Sequence, residues 1–165
     1  MLPHLSQIEK NFLLKFFAGF SLLYLLVQIL PLEAFLQWLA STEAVLLNSA
    51  GVNALASATI ISTPAIEFEI IRDCSGLLMV ALLAALLYAT NSRNSLKTLL
   101  LFAPLLVAFN LFRLLITLFV GTRFGSGALE AVHFSLWIVD SLIVLLIWAR
   151  AEGILESELT FAVRN

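Results

Sequence analysis

Four stretches of this chain are apolar over lengths near or above the roughly 20 residues that a helix needs to cross a bilayer. They fall at about residues 12–30, 74–90, 98–120 and 131–149. Within 165 residues they leave no room for a large aqueous domain. The composition agrees: 61% of residues are hydrophobic and 12% charged, against roughly half and a quarter in soluble domains. The expected fold is an all-α membrane protein of about four transmembrane helices. A net charge of −2 offers no basic surface to nucleic acid. The single cysteine, Cys74, forms no internal disulfide.

The segments between the runs carry their own patterns. In residues 32–58, Phe35, Trp38, Leu39, Val45 and Leu46 recur at helical spacing among Glu33, Gln37, Glu43 and Asn48, as expected of an extracytoplasmic interfacial helix. Next, Ile66, Phe68 and Ile70 alternate with Glu67 and Glu69, the pattern of a half-buried strand. Thr63-Pro64 separates this strand from "TII", which predicts a small β-hairpin immediately before Cys74. Basic residues set the orientation. Lys10, Lys15, Arg93, Lys97 and Arg150 belong on the cytoplasmic side, so both termini lie inside. Residues 1–150 then form one polytopic domain and 151–165 a cytoplasmic tail. A fifth span within 32–58 would put charge on the wrong side. A signal-peptide reading of the first run meets only a poor cleavage site in "PLEAFLQWLAST". "GTRFGSG", residues 121–127, reads as a flexible extracytoplasmic turn.

Ionisable residues inside membrane spans are costly and point to function. Cys74 opens the second span at its outer end, and His133 lies near the outer end of the fourth. Arg113 lies roughly 10 Å below the outer end of the third, at 1.5 Å per residue, within reach of snorkelling. Three spans thus bring a thiol, a guanidinium and an imidazole to one leaflet. Asp140, seven residues after His133 and on the same face, reaches the depth of Arg113 and is its expected ion-pair partner. Asn110, one turn from Arg113, belongs to the same polar shell. Each residue also has a purely structural reading: Cys74 as packing filler, His133 as an interfacial side chain, Arg113 as half of a buried pair. The chemistry of the set is acyl transfer through a thioester. Cys74 at a helix N-terminus is expected to have a lowered pKa and to act as nucleophile. His133 serves as general acid and base. Arg113, always charged, stabilises a developing oxyanion. No further histidine or cysteine stands at ligand spacing, so neither metal nor cofactor is expected.

"CSG" at Cys74–Gly76 opens a span, "NLFR" at Asn110–Arg113 sits late in the next, and "HFSLW" from His133 begins the last. In this order the chain resembles the exosortase/archaeosortase family of membrane cysteine transpeptidases, in its short, single-domain form. The resemblance covers about residues 65–150. It implies a multi-pass protein of the cell membrane with its active site on the extracytoplasmic face. It implies substrates that are secreted proteins ending in a short motif, a transmembrane span and a basic cluster. The acyl group would pass to a membrane lipid or another envelope acceptor. The cysteine, arginine and histidine of the family motifs fall on Cys74, Arg113 and His133. Residues 32–71 would grip the motif, with Glu67, Glu69, Arg72 and Asp73 as contact candidates. The competing readings are a peptidase that hands the acyl group to water, a non-enzymatic membrane scaffold, and a small transporter with Arg113 and Asp140 at its midplane. Against the last, the cytoplasmic halves of spans two to four hold few polar residues.

Overall fold

The structure is a computed structural model that describes residues 6–154. Of the expected tail at 151–165, residues 155 onward lie outside the described residues. The elements follow in the order α1 (Gln7–Ile29), α2 (Glu33–Ser49), β1 (Leu55–Ser57), β2 (Ile60–Ser62), β3 (Glu67–Glu69), a 3₁₀ turn (Arg72–Cys74), α3 (Leu77–Ala89), α4 (Ser95–Phe124) and α5 (Ser126–Ala151).

Among the described residues three helices, α1, α4 and α5, are long and apolar enough to cross a membrane. A capping box starts α1: the Glu9 N–H donates to Ser6 Oγ at 3.3 Å, and the Ser6 N–H donates to Glu9 Oε2 at 2.6 Å. Pro31 follows its last turn, where a proline cannot continue the helix. Leu14, Phe17, Leu22, Leu100, Phe112 and Leu146 stay exposed on these helices, as expected of surfaces that meet lipid. The fourth apolar run differs. Its helix, α3, has 13 residues, about 20 Å at 1.5 Å per residue, against a hydrocarbon core of roughly 30 Å. It packs against α1, α4 and α5, so its apolarity is that of an interior helix. Gly19 of α1 lets the Tyr88 ring of α3 approach; a Cβ at that glycine would stand 3.3 Å from Tyr88 Cδ1.

At the end away from Cys74, Lys15 Nζ donates to Asn91 Oδ1 at 3.1 Å and Thr90 Oγ1 donates to Glu152 Oε1 at 3.1 Å. These bonds gather the first part of α1, the α3–α4 connection and the end of α5 at one pole. Lys10, Lys15, Arg93, Lys97 and Arg150 are carried on those segments. "GTRFGSG" is not a flexible turn. Helix α4 runs through Phe124 and α5 starts at Ser126, leaving Gly125 (φ 84°) as the whole connection. The reason is close packing: a Cβ on Gly121 would lie 2.6 Å from Leu129 Cδ1.

The opposite pole is a cap of α2 and a three-stranded antiparallel sheet in the order β1-β2-β3. Ile61 pairs with Phe68, and both are buried, while Glu67 and Glu69 point outward. The predicted hairpin is therefore present as β2–β3. The first strand adds to it across the two-residue Ala58–Thr59 turn, with Leu55 paired to Ser62. The interfacial segment is helical. Leu36, Leu39, Ala40, Glu43, Ala44 and Leu47 pack on the sheet and α4, whereas Trp38 and Val45 are exposed.

Glu43 is the outlier on that face. It is 0% exposed, and neither carboxylate oxygen has a hydrogen-bond partner among the described residues. Burial pushes its pKa up to about 8. The folded state therefore holds this proton where the unfolded chain, near 4.5, releases it. The associated stability is full below pH 4.5 and is lost as pH rises toward 8. Thermal unfolding in detergent should show the melting temperature falling from pH 5 to 9. In Glu43→Gln, which does not titrate, that part of the slope should vanish. An unchanged slope would show that Glu43 is ionised and solvated.

Candidate active site

The strand β3 delivers the chain to its cysteine. The Ile70 N–H donates to the Thr59 carbonyl at 2.8 Å, extending the ladder, and the 3₁₀ turn follows. Within it, the Cys74 N–H donates to the Ile71 carbonyl at 2.9 Å, and the Ser75 N–H to the Arg72 carbonyl at 3.0 Å. The next two residues convert the turn into a helix. Ser75 is fully buried, and its Oγ accepts the Leu77 N–H at 3.2 Å. Gly76 takes a left-handed conformation, φ 76°, which suits glycine. A Cβ there would also stand 2.8 Å from the Asn110 Cβ. Gly76→Ala combines a strained backbone with a clash and is expected to destabilise the protein by about 1–3 kcal/mol. A melting temperature equal to wild type would show that the turn tolerates a side chain.

Three neighbours hold this turn. Asn110 Nδ2 of α4 donates to the Cys74 carbonyl at 2.7 Å. Gln28 Nε2, near the end of α1, donates to Asp73 Oδ1 at 2.8 Å. Arg72 pairs with Glu33 of α2 at 3.0 Å. Arg72 and Asp73 are thus engaged within the protein, while Glu67, which accepts from Ser62 Oγ at 3.2 Å, and Glu69 are exposed. Neither Gln28 nor Gly76 stood out from the sequence as a site residue. Gln28 did carry one signal, as a lone amide among the apolar residues ending α1.

Arg113 and Asp140, each 4% exposed, form the expected ion pair, through Arg113 Nη1 and Asp140 Oδ2. The pair leaves much unused. Arg113 Nε and Nη2, Asp140 Oδ1 and Asn110 Oδ1 are buried without a hydrogen-bond partner among the described residues. Asp73, Asn110, Arg113, Asp140 and Ser141 line a common cavity of about 80 Å³. His133 is half-buried on α5, about two turns from Asp140. Arg113 interacts electrostatically with both Cys74 and His133, and Asp140 with His133. The guanidinium is thus the hub. Among the described residues no hydrogen bond joins Cys74 to His133.

One expectation about Cys74 is corrected. Burial pushes its thiol up from the ordinary cysteine range; the Ile71 N–H and Arg113 offset this in part, and Asp73 adds to it. The helix N-terminus does not lower it because Cys74 ends the 3₁₀ turn and α3 starts only at Leu77, whose N–H already bonds Ser75 Oγ. Among the described residues no cluster of three or more metal-ligating side chains occurs.

The sequence profile of the transmembrane exosortases matches residues 10–149. The chain belongs to this family. Membership makes it a membrane protein of a family that consists generally of cysteine transpeptidases. Neither a curated protein nor a solved structure matches the chain significantly. The exosortase match reaches well beyond the "CSG", "NLFR" and "HFSLW" motifs. It takes in α1, α2 and the sheet, the elements that hold the Cys74 turn from the other side.

Proposed function

We propose that this exosortase is a membrane-embedded cysteine transpeptidase that removes the C-terminal sorting tail of secreted proteins and transfers them to a lipid or other envelope acceptor. The observation that supports the reading is that Arg113 interacts electrostatically with both Cys74 and His133, while two of its guanidinium nitrogens lack a partner among the described residues. In this reading α1, α3, α4 and α5 are the four spans. Both termini face the cytoplasm, and the cap of α2 and the sheet stands on the extracytoplasmic side. The protein resides in the cell membrane. Its substrates carry a motif, a single span and a basic cluster, and the span leaves the scissile bond at the height of Cys74.

His133 takes the Cys74 thiol proton as the sulfur attacks the peptide carbonyl. Arg113 donates to the oxygen on which negative charge develops. His133 returns the proton to the departing amine, and the acyl group remains on sulfur as a thioester. An acceptor hydroxyl or amine then attacks the thioester and gives its proton to His133. The carbon–sulfur bond breaks, the thiolate leaves, and the proton returns to it. Asn110 acts as a positioning residue through the Cys74 carbonyl.

The test is a secreted reporter carrying such a tail, co-expressed with the protein. Wild type should shorten the reporter and form a hydroxylamine-sensitive adduct on Cys74. A tail that stays intact, with no adduct, would overturn the proposal.

A further inference from the structure

The cavity beside the Arg113–Asp140 pair has a second wall and an opening. The wall is apolar, with Phe20 of α1, Met79 and Leu82 of α3, and Trp137 of α5. Helices α1 and α5 meet toward the other pole, where Phe12 and Trp148 lie 6.3 Å apart between ring centroids. Two turns further along, at Phe20 and Ser141, the cavity occupies the space between them. Trp137, which also lines it, is about half exposed, so the cavity is not sealed at this residue, which belongs to a helix long and apolar enough to cross a membrane.

We propose that this cavity binds the head of a membrane amphiphile bearing a hydroxyl group, with its hydrocarbon chain leaving between α1 and α5. The unmatched atoms set the chemistry. Arg113 Nε and Nη2 are donors without acceptors, and Asp140 Oδ1 and Asn110 Oδ1 are acceptors without donors. All belong to residues at least 96% buried that line the cavity. Buried polar groups in this state are costly, and a ligand that serves both kinds is favoured. A hydroxyl donates and accepts through one atom. Arg113 is already neutralised by Asp140, and Asp73 adds negative charge to the same wall. An anionic head therefore has no net attraction there. At about 80 Å³ the space suits a few heavy atoms and excludes a helix, which is about 10 Å across. The apolar wall sorts an amphiphile from plain water. Asp73 and Gly76, which flank Cys74 closely in sequence, also line the cavity, so an occupant rests against the turn that carries the thiol. This binding goes beyond the reaction proposed above and does not require Cys74 to react.

The experiment uses the full chain in lipid nanodiscs and a long-chain fatty alcohol with a mid-chain diazirine. The comparison probe has the same chain ending in a methyl group. Photolabelling by the alcohol should saturate, map to the segments holding Met79, Leu82 or Trp137, and be lost when unlabelled fatty alcohol is added. Labelling of these segments by the methyl-ended probe should not saturate. Leu82→Trp, or Ser141→Phe if the first does not fold, should abolish saturable labelling. Cys74→Ala should retain it, which separates this site from the catalytic proposal. Equal behaviour of the two probes, or no saturable labelling in wild type, would overturn the inference in favour of a water-filled cleft. Competitive displacement of the alcohol by a tail peptide would overturn it in favour of a polypeptide occupant.

Discussion

Replacing Cys74 with alanine is expected to abolish removal of the sorting tail, a loss of about a thousandfold or more, as for other covalent nucleophiles. The side chain is small and only half-buried, so Cys74→Ala should insert, accumulate and melt like wild type. That separation of activity from stability is the informative result. Processing that persists in Cys74→Ala at the wild-type rate would leave the thiol as packing filler and favour the scaffold reading. Mass spectrometry of the wild-type product adds a second axis. An added moiety on the new C-terminus indicates transfer, and a free carboxylate indicates hydrolysis. Because burial raises the thiol above its ordinary range, alkylation at neutral pH without substrate should be slower than for an exposed peptide cysteine. It should accelerate as pH rises into the range where the thiol ionises. Fast labelling at pH 7 would show a preformed thiolate and remove the need for His133 as base.

The second large effect belongs to the Arg113–Asp140 pair. Asp140→Ala leaves a guanidinium buried without its counter-charge, and such a loss typically destabilises by about 3–5 kcal/mol. Asp140→Asn should destabilise less, since it retains an oxygen to accept from Arg113. Replacing both residues, Arg113→Leu with Asp140→Leu, removes the charge problem and should recover most of the stability. The two roles of Arg113 then come apart. If the guanidinium stabilises a transition state, the double variant is stable but inactive. If Arg113 exists only to pair with Asp140, the double variant processes substrate normally. Thermal unfolding in detergent and the tail-removal reporter read the two quantities on the same preparations.

The ion pair was legible in the sequence because a helix rises by a fixed amount per residue. Counting from the ends of two runs put Arg113 and Asp140 at one depth without knowledge of their packing. The β2–β3 hairpin was legible for a similar reason, since alternation of Ile66, Glu67, Phe68 and Glu69 has only one structural meaning. The failures share a different cause. Apolar side chains suit lipid and protein interior equally, so periodicity could not tell which side of α2 turns inward. Trp38 and Val45 fitted the outer face as well as Leu36 and Leu47 fit the core. The same ambiguity hid the shortness of α3 and the burial of Glu43. The first strand, three exposed residues long, carries no periodic signal at all. At Cys74 the misreading was local. Gly76 adopts positive φ and delays the helix, so the thiol lies before the dipole begins. Gln28 was hidden because its partner depends on how α1 packs beside α3.

The bonds around the Cys74 turn also dictate an order of assembly. Gln28 to Asp73 spans 45 residues, Asn110 to Cys74 spans 36, and Arg113 to Asp140 spans 27. Together they draw on α1, the Cys74 turn, α4 and α5. During synthesis the thiol enters the membrane with α3, while Asn110, Arg113 and finally Asp140 are still to come. A partly inserted chain therefore carries a cysteine without its guanidinium or imidazole. Under the proposed mechanism, no activity is expected until α5 has docked.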